Sequence, residues 1–279
     1  MSSASKAKRQ ASNLTRETKP WVIFLARLGY VAKGIVYGVI GILAFQAAFG
    51  VGSTNIDTNQ ALIKIVTQPF GRILLWIVAI GLIGYVLWMF VQAILDPENN
   101  GTDAKGLLQR TAYFVSGIGY ALVDFSAFQI LTGSGGGNSG QGPQDWTAKV
   151  MSNPAGRWFI GLVGLGLGIW GLVQIYQAYS KSFTRRLKMG DMNGMEKTWA
   201  VRTGQAGLTA RGIVFGIIAY FLVQAAITYD PAKAGGLGQA FQALARQPFG
   251  PWLLGIVAIG LIAYGIYSLF MARYRRIYF

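Results

Sequence analysis

A chain of 279 residues with no histidine and no cysteine has only ten carboxylates for acid chemistry. One of them, Asp124, lies near the middle of a largely apolar run over 110–131. A charged Asp at the centre of a membrane helix costs about 2.5–3.5 kcal/mol, so Asp124 is expected to be neutral, paired or wetted by a cavity. Its functional reading is a proton- or cation-handling group. Its structural reading is a carboxyl hydrogen-bonded to a neighbouring helix. Lys33 and Arg211 are candidate partners on aligned helices, although repeat register sets them ~12 Å shallower along the axis. Gln46, Gln129 and Gln224 recur at equivalent outer helix ends. Three amides there would either ring a polar vestibule or bind helices together. Asp124, Lys33, Arg211, Gln46, Gln129 and Gln224 together form the candidate polar intramembrane site. A second set, Gln92 and Gln177, matches near the inner ends, where the third copy has Met271.

Other chemistry is scarce. Without Cys and His there is no disulfide, no thiol nucleophile, no Cys/His zinc or haem ligand and no imidazole acid–base pair. No nucleotide, metal or covalent-nucleophile motif is sustained. Neither a cofactor nor enzymatic activity is expected.

The elements that position these residues follow from composition. Hydrophobic residues make up 53% of the chain and charged residues 13%, against about 25% charged in soluble domains. Mean hydropathy is +0.41. Six apolar runs, near 21–49, 72–95, 110–131, 157–180, 206–229 and 251–272, are each long enough to cross ~30 Å of hydrocarbon at ~1.5 Å per residue. Backbone groups in lipid must be satisfied internally, and strand alternation is missing, so the spans are helices. The fold class is an all-α integral membrane protein.

The six spans are three copies of one hairpin. Lys33-Gly34-Ile35-Val36-Tyr37-Gly38 returns as Arg211-Gly212-Ile213-Val214-Phe215-Gly216, with Ser116-Gly117-Ile118-Gly119-Tyr120-Ala121 between them. The second helix of each unit opens with Gln68-Pro69-Phe70-Gly71, Asn153-Pro154-Ala155-Gly156 or Gln247-Pro248-Phe249-Gly250. Gly81, Gly166 and Gly260 follow, then Tyr85, Trp170 and Tyr264. Such self-similarity marks a triplication, arranged about a pseudo-threefold axis normal to the membrane. Small residues four apart, Gly34 with Gly38, Gly117 with Ala121 and Gly212 with Gly216, make stripes for close helix packing. The boundaries expected are a basic tail over 1–20, hairpins over 21–95, 107–180 and 201–273, a basic linker over 181–200 and a tail over 274–279. Short apolar-periodic pieces near 61–66, 146–151 and 240–244 read as interfacial helices, and 132–143 reads as a flexible loop.

Arg27, Gly29 and Tyr30, the Lys/Arg-Gly pair, Gln-Pro-Phe-Gly and the late Gly81, Gly84 and Tyr85 together resemble the bacterial family catalogued as domain of unknown function 1206. The resemblance covers roughly 21–273. It is clear in units one and three and degraded in unit two, where Pro-Phe-Gly is Pro-Ala-Gly and the Lys is Ser116. It implies three two-helix units in a membrane and supplies no activity.

Orientation follows from charge. Net charge is +15, from 25 Lys and Arg against 10 Asp and Glu. Lys64, Arg72, Lys149, Arg157, Lys233 and Arg246 fall on one side, and the other 19 bases share the side of the termini. Positive residues stay in the cytoplasm, so the expectation is a bacterial inner-membrane protein with both termini cytoplasmic. Arg185, Arg186, Lys188, Arg273, Arg275 and Arg276 are candidate ligands of anionic phospholipid headgroups. A protein partner or a homo-oligomer is the other association considered, and nucleic acid is not expected. The functional reading is a non-enzymatic membrane scaffold or assembly protein. The alternative is a channel or transporter for a small solute or ion through Asp124 and the glutamines.

Overall fold

A computed structural model describes residues 3–51, 58–96, 101, 103–133, 143–153 and 155–276, and the side chains of 3–22 lie outside that description. The loop expected over 132–143 and the last residues of the expected tail fall largely outside the described residues. Nine α-helices are present among the described residues: α1 (Ser3–Ala48), α2 (Thr58–Val66), α3 (Gly71–Ile94), α4 (Ala104–Thr132), α5 (Pro143–Met151), α6 (Gly156–Ser180), α7 (Gly194–Thr228), α8 (Leu237–Ala245) and α9 (Gly250–Tyr274). Six of them contain spans long and apolar enough to cross a membrane: Ile23–Ala48, Gly71–Ile94, Gln109–Thr132, Gly156–Ser180, Gly194–Thr228 and Gly250–Tyr274. Each unit is therefore a long helix, a short helix and a second long helix. The short helices α2, α5 and α8 lie on one side of the bundle, called here the short-helix side, and α9 ends on the opposite, terminal side.

Local sequence explains the joints. Asp103 caps α4 through the Gly106 amide at 3.0 Å. Asn193 and Glu196 exchange hydrogen bonds as a capping box that starts α7. The sequence Pro-x-Gly between short and long helix recurs in all three units. A side chain on Gly71, Gly156 or Gly250 would overlap a carbonyl oxygen of the preceding short helix, so only glycine lets the chain double back there.

The six spans form a ring with three-unit symmetry and one break. Between units, the second helix of one packs on the first helix of the next: α3 on α4, α6 on α7 and α9 on α1. The glycine stripes lie at these seams. A Cβ on Gly34 would meet the Gly265 carbonyl at 3.0 Å, one on Gly212 the Gly171 carbonyl at 2.7 Å, and one on Gly117 the Met89 Cβ at 3.3 Å. Gly38 and Gly216 have no atom within 4 Å of a built Cβ. They contribute backbone, since a Cβ on Gly265 would meet the Gly38 amide at 3.0 Å and one on Gly171 the Gly216 amide at 3.4 Å.

Within units, α1 packs on α3 and α7 on α9, but α4 and α6 make no comparable contact. The closed seams share a device. A Cβ on Gly29 would come 2.5 Å from the Tyr85 Cβ, and one on the equivalent Gly207 would come 2.5 Å from the Tyr264 Cα. Unit two has Ala112 at that position, Val115 where the others have Ala32 and Ala210, and Ser116 in place of the cation. The facing Gly166 has nothing within 4 Å. Residues that would close the third seam are absent, and the seam stands open.

Candidate functional site

The polar interior of the ring is an axial cavity of about 80 Å³, room for several waters at ~10–15 Å³ each. All three units line it: Tyr30 and Lys33 from α1, Tyr85 and Met89 from α3, Tyr113, Ser116 and Tyr120 from α4, Trp170, Gln174 and Gln177 from α6, Leu208 and Arg211 from α7, and Tyr264, Tyr267, Ser268 and Met271 from α9. Phe183, Arg186 and Arg275 complete it at the terminal side. Four of these residues, Lys33, Arg186, Arg211 and Arg275, are basic, and none of the lining residues is acidic.

Repeat geometry places the two deepest cations. Lys33 Nζ donates to the Tyr85 hydroxyl at 3.0 Å, and Arg211 donates to the Tyr264 hydroxyl at 2.8 Å. These are equivalent pairs across the closed seams of units one and three. Lys33 also lies 4.9, 5.2 and 5.1 Å from the ring centres of Tyr85, Tyr120 and Tyr264. Arg211 lies 5.5, 4.7 and 5.0 Å from Tyr37, Phe215 and Tyr264. Edge-to-face contacts of Tyr30 with Tyr85, Tyr37 with Tyr264 and Tyr85 with Tyr120, at 5.2, 4.7 and 4.8 Å, hold the rings in place.

Magnitudes decide what this arrangement wants. A base in the membrane interior costs about 2.5–3.5 kcal/mol. A ring face returns about 0.5–2 kcal/mol and a charged hydrogen bond about 1.5–3 kcal/mol. Lys33, only 5% exposed, and Arg211 are thus individually near balance. Repulsion among the cations has no lining carboxylate to offset it.

The terminal side adds the third and fourth bases. Leu187 and Arg275 form an isolated antiparallel bridge. The Lys188 amide donates to the Tyr274 carbonyl at 2.8 Å, and the Arg276 amide to the Arg186 carbonyl at 2.9 Å. This pairing folds the linker across the end of α9 and turns Arg275 inward. Read from sequence as a headgroup ligand at the surface, Arg275 is 5% exposed; it donates to the Tyr30 hydroxyl and to Gln92 Oε1 at 3.4 Å. Arg186 is half-buried, whereas Arg185, Lys188, Arg273 and Arg276 are exposed. The difference is physical: chain pairing around 187 and 275 sets which bases point in, and charge pattern carries no trace of it.

Of the sequence candidates, the cavity unites Lys33 and Arg211 and leaves out the rest. Asp124 is half-buried with Oδ1 lacking a hydrogen-bond partner, and it does not line the cavity. Gln46 is exposed and Gln129 and Gln224 are half-buried, and they are not brought to a common cavity either. Sequence reasoning missed Gln174. It is 2% exposed, lines the cavity, and neither of its amide atoms has a partner. Its repeat equivalents are Met89 and Ser268, so the repeat offers no signal for it. The Lys33–Tyr85 and Arg211–Tyr264 pairs did carry one: cation and tyrosine recur together in units one and three and vanish together in unit two.

Comparison with known proteins adds the family and no activity. The family model described as Domain of Unknown Function (DUF1206) matches three segments, 28–96, 111–181 and 206–275. An uncharacterised Bacillus subtilis (strain 168) protein, YxxB, is 38% identical over 267 residues, covering 96% of each chain. No solved structure matches the chain. Three matched segments, one per helical unit, place the chain in the DUF1206 family.

Proposed function

We propose that the protein is a non-enzymatic membrane scaffold or assembly protein that holds an anion on its axis. The observation that carries this reading is the cavity itself, where four bases converge without a lining carboxylate. Toward the short-helix side α1, α3, α7 and α9 bury an apolar cluster that includes Val36, Ile40, Leu82, Val214 and Leu261, a feature that favours holding a ligand over conduction. The excess of bases on the terminal side supports a bacterial inner-membrane location with both termini cytoplasmic. The exposed Arg185, Lys188, Arg273 and Arg276 suit anionic phospholipid headgroups, and a protein partner or second copy would meet the remaining outer faces.

The test is thermal stability of the purified chain in neutral detergent, with sulfate against chloride at matched ionic strength. A ligand that binds only the folded state raises stability by mass action, about 2.7 kcal/mol at a hundred times its Kd. Sulfate is expected to raise Tm in the wild type and in Arg185→Gln/Arg276→Gln, and to do nothing in Lys33→Gln/Arg211→Gln. A sulfate increment that survives the latter double substitution, or is absent from all three proteins, overturns the reading.

A channel or transporter for a small solute or ion is the second reading. It rests on the unpartnered Oδ1 of Asp124. Ion flux in liposomes that Asp124→Asn abolishes would favour it.

A further inference from the structure

Resting on the anion reading, we infer that the anion is the phosphate of a membrane phospholipid whose acyl chains leave the bundle through the open seam between α4 and α6. The walls of the cavity decide where the rest of the ligand can lie. At the terminal side the linker closes the cavity: Phe183 is 3% exposed, stacks edge-on against Tyr267 at 5.4 Å and reaches Gly204. Leu187 behind it is fully buried. Toward the short-helix side lies the buried apolar cluster of α1, α3, α7 and α9, which offers a charged ligand no polar path. The flank at α4 and α6 is the seam left unpacked. A spanning bundle presents that flank to lipid, not to water.

Chemistry at the seam agrees. Gln174 stands on α6, one wall of the opening, buried and aimed into the cavity with its amide nitrogen and oxygen both unpartnered. Arg211 Nε is also buried and unpartnered. A phosphate between them would accept from Gln174 Nε2 and Arg211 Nε and neutralise Lys33. A buried amide N–H left without a partner costs about 1–3 kcal/mol, so a phosphate that accepts from Gln174 Nε2 removes that cost. Lys33 lies well inside the apolar run that begins near residue 21, ~18 Å from its start. The headgroup would therefore sit below the interface, held by side chains and not by surface charge alone.

The experiment uses the full chain, delipidated in neutral detergent. Dioleoyl phosphatidylglycerol is the lipid probe, glycerol 3-phosphate its water-soluble counterpart and dioleoylglycerol the probe without phosphate. Retained ligand is read by native mass spectrometry and by thermal shift. One phosphatidylglycerol per chain is expected, bound at least ~tenfold more tightly than glycerol 3-phosphate, with no binding of dioleoylglycerol. Gln174→Ala and Lys33→Gln/Arg211→Gln should each weaken the lipid about tenfold or more. Gly166→Phe fills the seam at a position with no neighbour within 4 Å; it should lose the lipid while keeping glycerol 3-phosphate, which also shows that the variant is folded. Equal binding of lipid and glycerol 3-phosphate, both lost in Lys33→Gln/Arg211→Gln, leaves the anion reading standing and overturns the lipid. Lipid binding unaffected by Gly166→Phe overturns the route through the seam. Lipid binding that survives Lys33→Gln/Arg211→Gln but falls in Arg185→Gln/Arg276→Gln assigns it to the outer surface and overturns the inference. No binding of any phosphate overturns both readings.

Discussion

Gly207→Ala and Gly166→Ala place the same methyl group at a closed and an open seam. At Gly207 the new Cβ would lie 2.5 Å from the Tyr264 Cα, whereas at Gly166 it meets nothing within 4 Å. Ordinary contact requires roughly 1 Å more than the first site offers, and the clash is with backbone, so α7 and α9 must separate. Overpacking of this kind costs about 1–3 kcal/mol. The separation also stretches the 2.8 Å hydrogen bond from Arg211 to Tyr264, worth at most about 1.5–3 kcal/mol. Gly207→Ala should therefore lower unfolding free energy by about 2–4 kcal/mol. Gly166→Ala should be neutral or gain up to about 1 kcal/mol from helix propensity. Reversible unfolding in mixed detergent–dodecyl sulfate micelles, followed by Trp fluorescence, measures both. Equal destabilisation by the two substitutions, or a larger loss at Gly166, would refute the account of closed and open seams. Unit two already carries Ala112 at the position equivalent to Gly207, and there the two long helices make no contact comparable to the closed seams.

The between-unit seams make a related prediction. Gly34→Ala and Gly212→Ala, each facing a carbonyl within 3.0 Å, should lose about 1–3 kcal/mol in the same assay, while Gly38→Ala and Gly216→Ala, with nothing within 4 Å, should be neutral or gain up to about 1 kcal/mol. Topology is open to clean labelling because the chain has no cysteine. A single Cys introduced at Ser182 should resist an impermeant maleimide in intact cells and one at Ser139 should react, and the reverse pattern would invert the proposed orientation.

Much of the fold could be read from residues alone, for physical reasons. Span length, the repeated Gln-Pro-Phe-Gly turn and the recurring Gly34, Gly117 and Gly212 are local signals that survive without a tertiary context. The site was half legible. Lys33 and Arg211 stand out in the sequence as repeat-equivalent bases that could partner Asp124, and Asp124 does not share their cavity. In a membrane, bundle-facing and lipid-facing positions are equally apolar, so helical periodicity does not tell which face of α4 or α6 turns inward. That hid Gln174 and the open seam. Arg275 was hidden for another reason: its burial depends on the bridge to Leu187, a contact between segments 88 residues apart in the numbering. Degradation of unit two is visible in Ala155 and Ser116, and its meaning emerges only beside the packed seams of units one and three, whose smaller residues give way to Ala112 and Val115 in unit two.

The most direct test of the axial site is crystallographic. Crystals of the delipidated protein soaked in selenate should give an anomalous difference peak on the bundle axis, within hydrogen-bond distance of Lys33 Nζ, Arg211 and Gln174 Nε2. Peaks confined to Arg185, Lys188, Arg273 and Arg276, with only water between Lys33 and Arg211, would contradict the claim that the converging bases hold an anion.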